Sequence, residues 1–162
     1  MSAVKRTQAN KGKEFRSFVG IPHECANHSN FIRLSPYAVK LLIDIAIQYR
    51  GNNNGDLTIA YSLMKDRGWR SEATLHKYKR ELLHYGWIML TRQGGKHKAS
   101  LYAITWKSVD ECKGKLDVKE THKSLGYWKE AKQMFRSIRK RSPNQPHKLS
   151  RPLSVIEGGK SY

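Results

Sequence analysis

From Ser35 to Arg50 the apolar positions Val39, Leu42, Ile43, Ala46 and Ile47 recur at helical spacing, and Leu41 and Ile45 widen the stripe. The segment is apolar nearly all round, which predicts the central core helix. Ser35 before Pro36 supplies its start, a cap followed by proline where a missing N–H costs nothing. The run Gly51-Asn52-Asn53-Asn54-Gly55 is a loop signal. Leu57 then predicts a short strand, and Thr58 caps a second helix over 59–67 with Ile59, Ala60, Leu63 and Met64 inward. Gly68 closes it in the left-handed position that glycine favours. After the turn Gly68-Trp69-Arg70, Ser71 caps a third helix that runs to Tyr85 and is closed by Gly86.

The period then changes. Trp87 to Arg92 and Leu101 to Trp106 are β-branched and aromatic runs separated by a glycine-containing basic stretch. They predict a β-hairpin with a positively charged tip. Helix, short strand, helix, turn, helix, hairpin is the order of an α+β winged helix-turn-helix domain, three helices and a β-hairpin wing, over residues 18–106. The flanks read differently. Residues 1–17 read as a flexible basic arm, 107–126 as a linker and 142–162 as a basic disordered tail. Between the last two, residues 127–141 place Trp128, Ala131, Met134 or Phe135, and Ile138 at helical spacing amid cations, which predicts an amphipathic basic helix.

Charge sharpens this organisation. The 31 Lys+Arg against 13 Asp+Glu give a net +18, and a polyanion is the usual partner of such an excess. Residues 1–20 carry +4, residues 71–106 another +4 and residues 127–162 +7, counted from the sequence. The longest apolar-rich stretch, residues 38–47, is broken by Lys40 and Asp44 and falls short of the ~20 residues of a membrane span. No apolar region follows the basic start, so no secretory signal is expected. Two cysteines, Cys25 and Cys112, make no disulfide framework, and a cytoplasmic protein with reduced thiols is expected.

On the third helix Leu75, Tyr78, Leu82 and Tyr85 fall within a sector of about 80°, while Ala73, His76, Lys77, Arg80 and His84 lie opposite. Taken alone, such residues read as an ordinary solvated outer face. With the preceding turn and the following hairpin, however, the face has the make-up of a recognition helix. Lys77 and Arg80 are long donors suited to guanine O6 and N7 in a major groove. Arg70, Ser71 and the free N–H groups at the helix start suit a phosphate. Arg92, Lys96, His97 and Lys98 on the wing would neutralise backbone phosphates without reading sequence. Lys5, Arg6, Arg136, Arg139, Lys140 and Arg141 are accessory cations.

Enzymatic chemistry finds little footing. His23 and His28 are five residues apart around Glu24, whereas a zinc-protease helix needs two histidines four apart on one face. His23, Cys25 and His28 with Cys112 or His122 match no standard zinc spacing. There is no phosphate-cradling glycine loop, nucleophile elbow or paired-carboxylate site. Neither a metal nor another cofactor is expected.

From Phe18 to Trp106 the chain resembles small winged helix-turn-helix proteins of bacteriophages, prophages and plasmids. The residues that carry the likeness are F-V-G-I-P-H (18–23), L-L-I-D-I-A-I-Q-Y-R-G-N-N-N-G (41–55), R-G-W-R-S (67–71), K-R-E-L-L-H-Y-G-W-I (79–88) and K-A-S-L-Y-A-I-T-W (98–106). The resemblance implies a non-enzymatic, sequence-preferring double-stranded DNA-binding protein of a mobile element, acting in a bacterial host on transcription or at a replication origin. A homodimer on two half-sites is compatible with it. The alternative is an interaction protein, for instance a host-defence inhibitor, whose basic surface binds a protein or ribonucleoprotein.

Overall fold

The computed structural model describes residues 18–136 as an α+β fold of five helices and a three-stranded antiparallel sheet. Two one-turn helices, α1 (His23–Ala26) and α2 (Ser29–Ile32), precede the long α3 (Pro36–Ala46). Then come β1 (Leu57–Thr58), α4 (Tyr61–Met64), α5 (Glu72–His84), β2 (Ile88–Arg92) and β3 (Leu101–Ile104). Ser35 caps α3, its hydroxyl accepting from the Ala38 N–H, with Pro36 in the first turn. Ala38, Leu41, Leu42 and Ile45 are fully buried, but Ile43 and Ile47 stay partly exposed. The helix therefore has an open flank, against the expectation of burial all round, and it stops at Ala46 rather than Arg50.

The second helix is shorter than expected. Ile59 and Ala60 run extended into α4, which continues as a 3₁₀ turn, Lys65–Arg67, and ends on Gly68 at φ 87°. The expected Thr58 cap is displaced: Ala60 precedes α4 with no side-chain cap, and the Thr58 hydroxyl accepts from the Ala60 N–H ahead of the helix. Ser71 caps α5 as read from the sequence. The sheet order is β1-β3-β2, so the inner strand is the last in sequence, and a bulge between Leu90 and Arg92 bends β2.

Residues 107–126 contain loops and one 3₁₀ turn, Cys112–Gly114, yet they are bonded to the domain rather than strung from it. The Asp117 N–H donates to Thr91 O, the Asp110 N–H to Asn54 O, and Val109 is buried. Asn54 is the hub of this layer. Its side chain donates to Ile104 O and Ser108 O and accepts from the Ile104 N–H, at 2.6–2.9 Å, with no exposure to solvent.

The expected helix over 127–141 is not formed in its described part. Gly126 (φ 64°) opens a single 3₁₀ turn, Tyr127–Lys129, and residues 131–136 are irregular; residues 137–141 lie outside the described residues. The physical reason is capture by the rest of the fold. Trp128 stacks on Trp87 at 5.4 Å and 10° and is buried. Asn30 donates to Trp128 O and Glu130 O, Arg33 to Lys132 O, and the Phe135 N–H donates to the Tyr85 hydroxyl. Backbone groups that a helix would pair internally are thus paired with α2 and α5. This segment, residues 127–136, is a strap that passes so close to Gly86 (φ 73°) that a Cβ there would lie 2.6 Å from Tyr127 O. Trp87 sits at the centre of this aromatic layer, with Phe31 and Trp106 edge-on to it.

Candidate nucleic-acid interface

Helix α5 carries the candidate surface, and its pose is set from beneath. Leu75, Leu82 and Tyr85 are buried against the core. Glu81 is buried too. Its carboxylate accepts from the Ser35 N–H at 2.7 Å and the Ser35 hydroxyl at 2.8 Å, tying mid-α5 to the start of α3. A carboxylate is favoured there because the N-terminus of a helix is electropositive.

The turn that launches α5 is held by Asp44. Its carboxylate accepts from Lys40 Nζ at 2.6 Å, Arg67 Nε at 2.8 Å and the buried Trp69 Nε1 at 2.8 Å. Lys40 also donates to Arg67 O and lies over the Trp69 ring. Burial pushes the Asp44 pKa up, but the bonds from Lys40, Trp69 and Arg67 outweigh it and the carboxyl lies below its ordinary value. Trp69 in turn leans on Tyr37 and Tyr78, which stack on each other at 5.3 Å. The sequence gives Asp44 the look of a break in an apolar run; the structure makes it the clamp of the turn.

On the outer side Arg70, Ala73, His76 and Arg80 are exposed. Lys77 is half-buried, its ammonium over the Tyr78 ring at 5.1 Å. His76 lies 3.4 Å from Glu72 on the preceding turn. Lys79 is half-buried, and burial, with Arg80 beside it, lowers its ammonium below the ordinary lysine value.

Three expected site residues are otherwise engaged. The Ser71 hydroxyl accepts from the Thr74 N–H as the helix cap, and Glu72 in the same turn is a competing anion, so a phosphate at this helix start meets an occupied position. His84 has Nε2 2.8 Å from Gln133 O and its ring against Tyr85 and Phe135, which places it under the strap. Arg92 donates to Ala99 O and, at 3.4 Å, to Lys115 O, lacing the hairpin to the segment behind it.

At the hairpin tip Lys96, His97 and Lys98 are exposed, in a tight turn closed by the reciprocal Gly95 and Lys98 backbone bonds with His97 at φ 66°. Arg136 is exposed at the end of the strap. Lys5, Arg6, Arg139, Lys140 and Arg141 lie outside the described residues.

Two of the residues weighed for metal, Cys25 and His28, have structural positions. Cys25 is buried, and burial, with Glu24 next to it, pushes its thiol up to about 11. His28 caps α2, Nδ1 accepting from the Asn30 N–H, with its ring edge-on to Trp128. Among the described residues no three His, Cys, Asp or Glu side chains are grouped to hold a metal ion, and no helix is long and apolar enough to cross a membrane. No family model, curated protein or solved structure matches this chain.

Proposed function

We propose that this chain is a winged helix-turn-helix protein that binds double-stranded DNA with a sequence preference. The observation that carries the reading is the row of exposed Arg70, Ala73, His76 and Arg80 with half-buried Lys77, on and before α5, on a helix launched by a clamped turn. Two further features support it. The order α3, β1, α4, turn, α5, hairpin with β1 against β3 is that of the winged domain. The hairpin that follows the helix carries three exposed basic or titratable side chains at its tip.

In this reading α5 enters the major groove, where its N-terminal half meets base edges. Arg80 and Lys77 donate to guanine acceptors, and Ala73 leaves room for a close approach. Lys96, His97 and Lys98 rest on the flanking backbone. His84, Arg92 and Ser71 hold the fold and leave the contact list. The reaction class is binding without catalysis, and regulation of transcription and marking of an origin both use it.

Charge reversal tests the reading. The double variant Lys77→Glu, Arg80→Glu should lose at least about 30-fold in duplex affinity by fluorescence anisotropy, from two contacts at about 1–3 kcal/mol each. Both side chains reach solvent, so the thermal midpoint should not move. Unchanged duplex binding, or loss of a protein complex with no effect on DNA, would overturn it in favour of an interaction protein.

A further inference from the structure

Beside the outward row of α5 lies a notch of about 340 Å³, bounded by α5, the start of α3 and the strap. Lys77, Glu81 and Tyr85 follow one another at four-residue steps and form its α5 side. Arg33, at the end of α2, and Phe135 of the strap stand across from them.

The polar groups of this notch are donors with capacity to spare. Glu81 is the one acid in its lining, and both of its oxygens are already bonded to Ser35. Arg33 is exposed and uses Nη1 alone, on Lys132 O. Neither Arg33 nor Lys77 forms an ion pair among the described residues. Tyr85 is 1 % exposed, and its hydroxyl accepts from the Phe135 N–H. Its own O–H has no acceptor among the described residues. A buried donor in that state favours the arrival of an acceptor.

An anion with several acceptor oxygens suits this set. A nucleobase does not, because the Tyr78 ring is taken by Tyr37 and Lys77 and Phe135 lies against His84. Position then selects the anion. A helix in the major groove has a sugar–phosphate strand along each flank. Lys77 belongs both to the row that would meet base edges and to the notch, so a duplex seated on the row carries its backbone past Arg33 and Tyr85.

We propose that the notch receives one backbone phosphate of the bound duplex, held by the Arg33 guanidinium and the Tyr85 hydroxyl with Lys77 alongside. The assignment rests on the reading of α5 as the DNA-reading helix and adds Arg33 and Tyr85 to it.

The test is duplex binding by anisotropy on the full chain between about 50 and 200 mM salt. Arg33→Ala should bind all sequences about tenfold more weakly at the low-salt end and reduce the salt slope by about one. Arg33→Lys, which keeps the charge, should keep the slope. Tyr85→Phe removes no charge and should weaken binding about threefold at an unchanged slope. Wild-type affinity and slope in Arg33→Ala would overturn the proposal. So would a loss of affinity in Arg33→Ala without a change of slope, which would report a loosened strap instead of a lost phosphate. Inorganic phosphate is the control for a free anion. If, at matched ionic strength, it stabilised wild type but not Arg33→Ala while duplex binding ignored Arg33, the notch would be a small-anion site and the proposal would fall. Failure of the α5 reading shows separately, as duplex binding that ignores Lys77→Glu, Arg80→Glu, and it would remove the premise and the notch's role with it.

Discussion

Replacing Asp44 by alanine removes the one acceptor shared by Lys40, Arg67 and Trp69. The three losses differ in kind. Lys40 and Arg67 side chains are 44 % and 34 % exposed, so water replaces their partner and each costs about 0.5–1 kcal/mol. Trp69 is 4 % exposed, and an indole N–H left buried without a partner costs about 1–3 kcal/mol. The expected destabilisation is therefore about 2–5 kcal/mol, read by urea unfolding followed through tryptophan fluorescence. Asp44→Asn keeps an acceptor for Trp69 and removes only the charge, so it should fall near 1–2 kcal/mol, again about. The pH dependence has a definite sign. A carboxyl with a lowered folded pKa stabilises above its unfolded value, near 3.9, and that stability is lost as pH falls through the folded value. The gap between wild type and Asp44→Asn should therefore be constant above pH ~5 and close below ~4. An Asp44→Ala protein within about 0.5 kcal/mol of wild type, or a gap that widens in acid, would refute the clamp.

Trp128→Ala should cost about 3–5 kcal/mol by the same unfolding assay, because it empties the stack on Trp87 and the edge contact with His28. Gly86→Ala should destabilise by 2 kcal/mol or more, about, since both the left-handed backbone and the contact with Tyr127 O forbid a Cβ; a neutral effect would contradict the strap's path. Lys96→Ala with Lys98→Ala should weaken all duplexes alike and reduce the salt slope by about two, and a changed sequence preference would contradict a backbone role. At pH 8 a thiol reagent should modify Cys112 well before Cys25, whose thiol is buried and raised to about 11, as mass spectrometry of the alkylated protein can show.

Local signals made much of this fold legible. Ser35-Pro36 and Ser71 mark helix starts because a short polar side chain and a fixed φ act within four residues. The change of period at Trp87 marks the hairpin for the same reason. What escaped was set by partners distant in sequence. Asn30, Asn54 and Glu81 are polar and so invisible to a hydrophobic pattern, yet each is buried because it satisfies backbone or hydroxyl groups far along the chain. The segment after Gly126 has helical spacing, but the stack on Trp87 and the bonds from Asn30, Arg33 and Tyr85 outweigh the intrinsic preference. The candidate site shows the same division. The exposed set Arg70, Ala73, His76 and Arg80 follows from helical period alone. That His84 and Arg92 serve the strap and the hairpin could not be read from their charge, because a cation carries no mark of whether a carbonyl of its own chain lies within reach.

The most direct test of the central claim is selection from a pool of random-sequence duplexes on the full chain, with a high-salt wash before sequencing. Salt strips contacts made only to phosphates, so what remains reports base readout. The account predicts a recurring motif that vanishes with Lys77→Glu, Arg80→Glu and persists, at lower yield, with Lys96→Ala, Lys98→Ala. Duplexes with no shared motif, or a motif indifferent to the α5 substitutions, would contradict it.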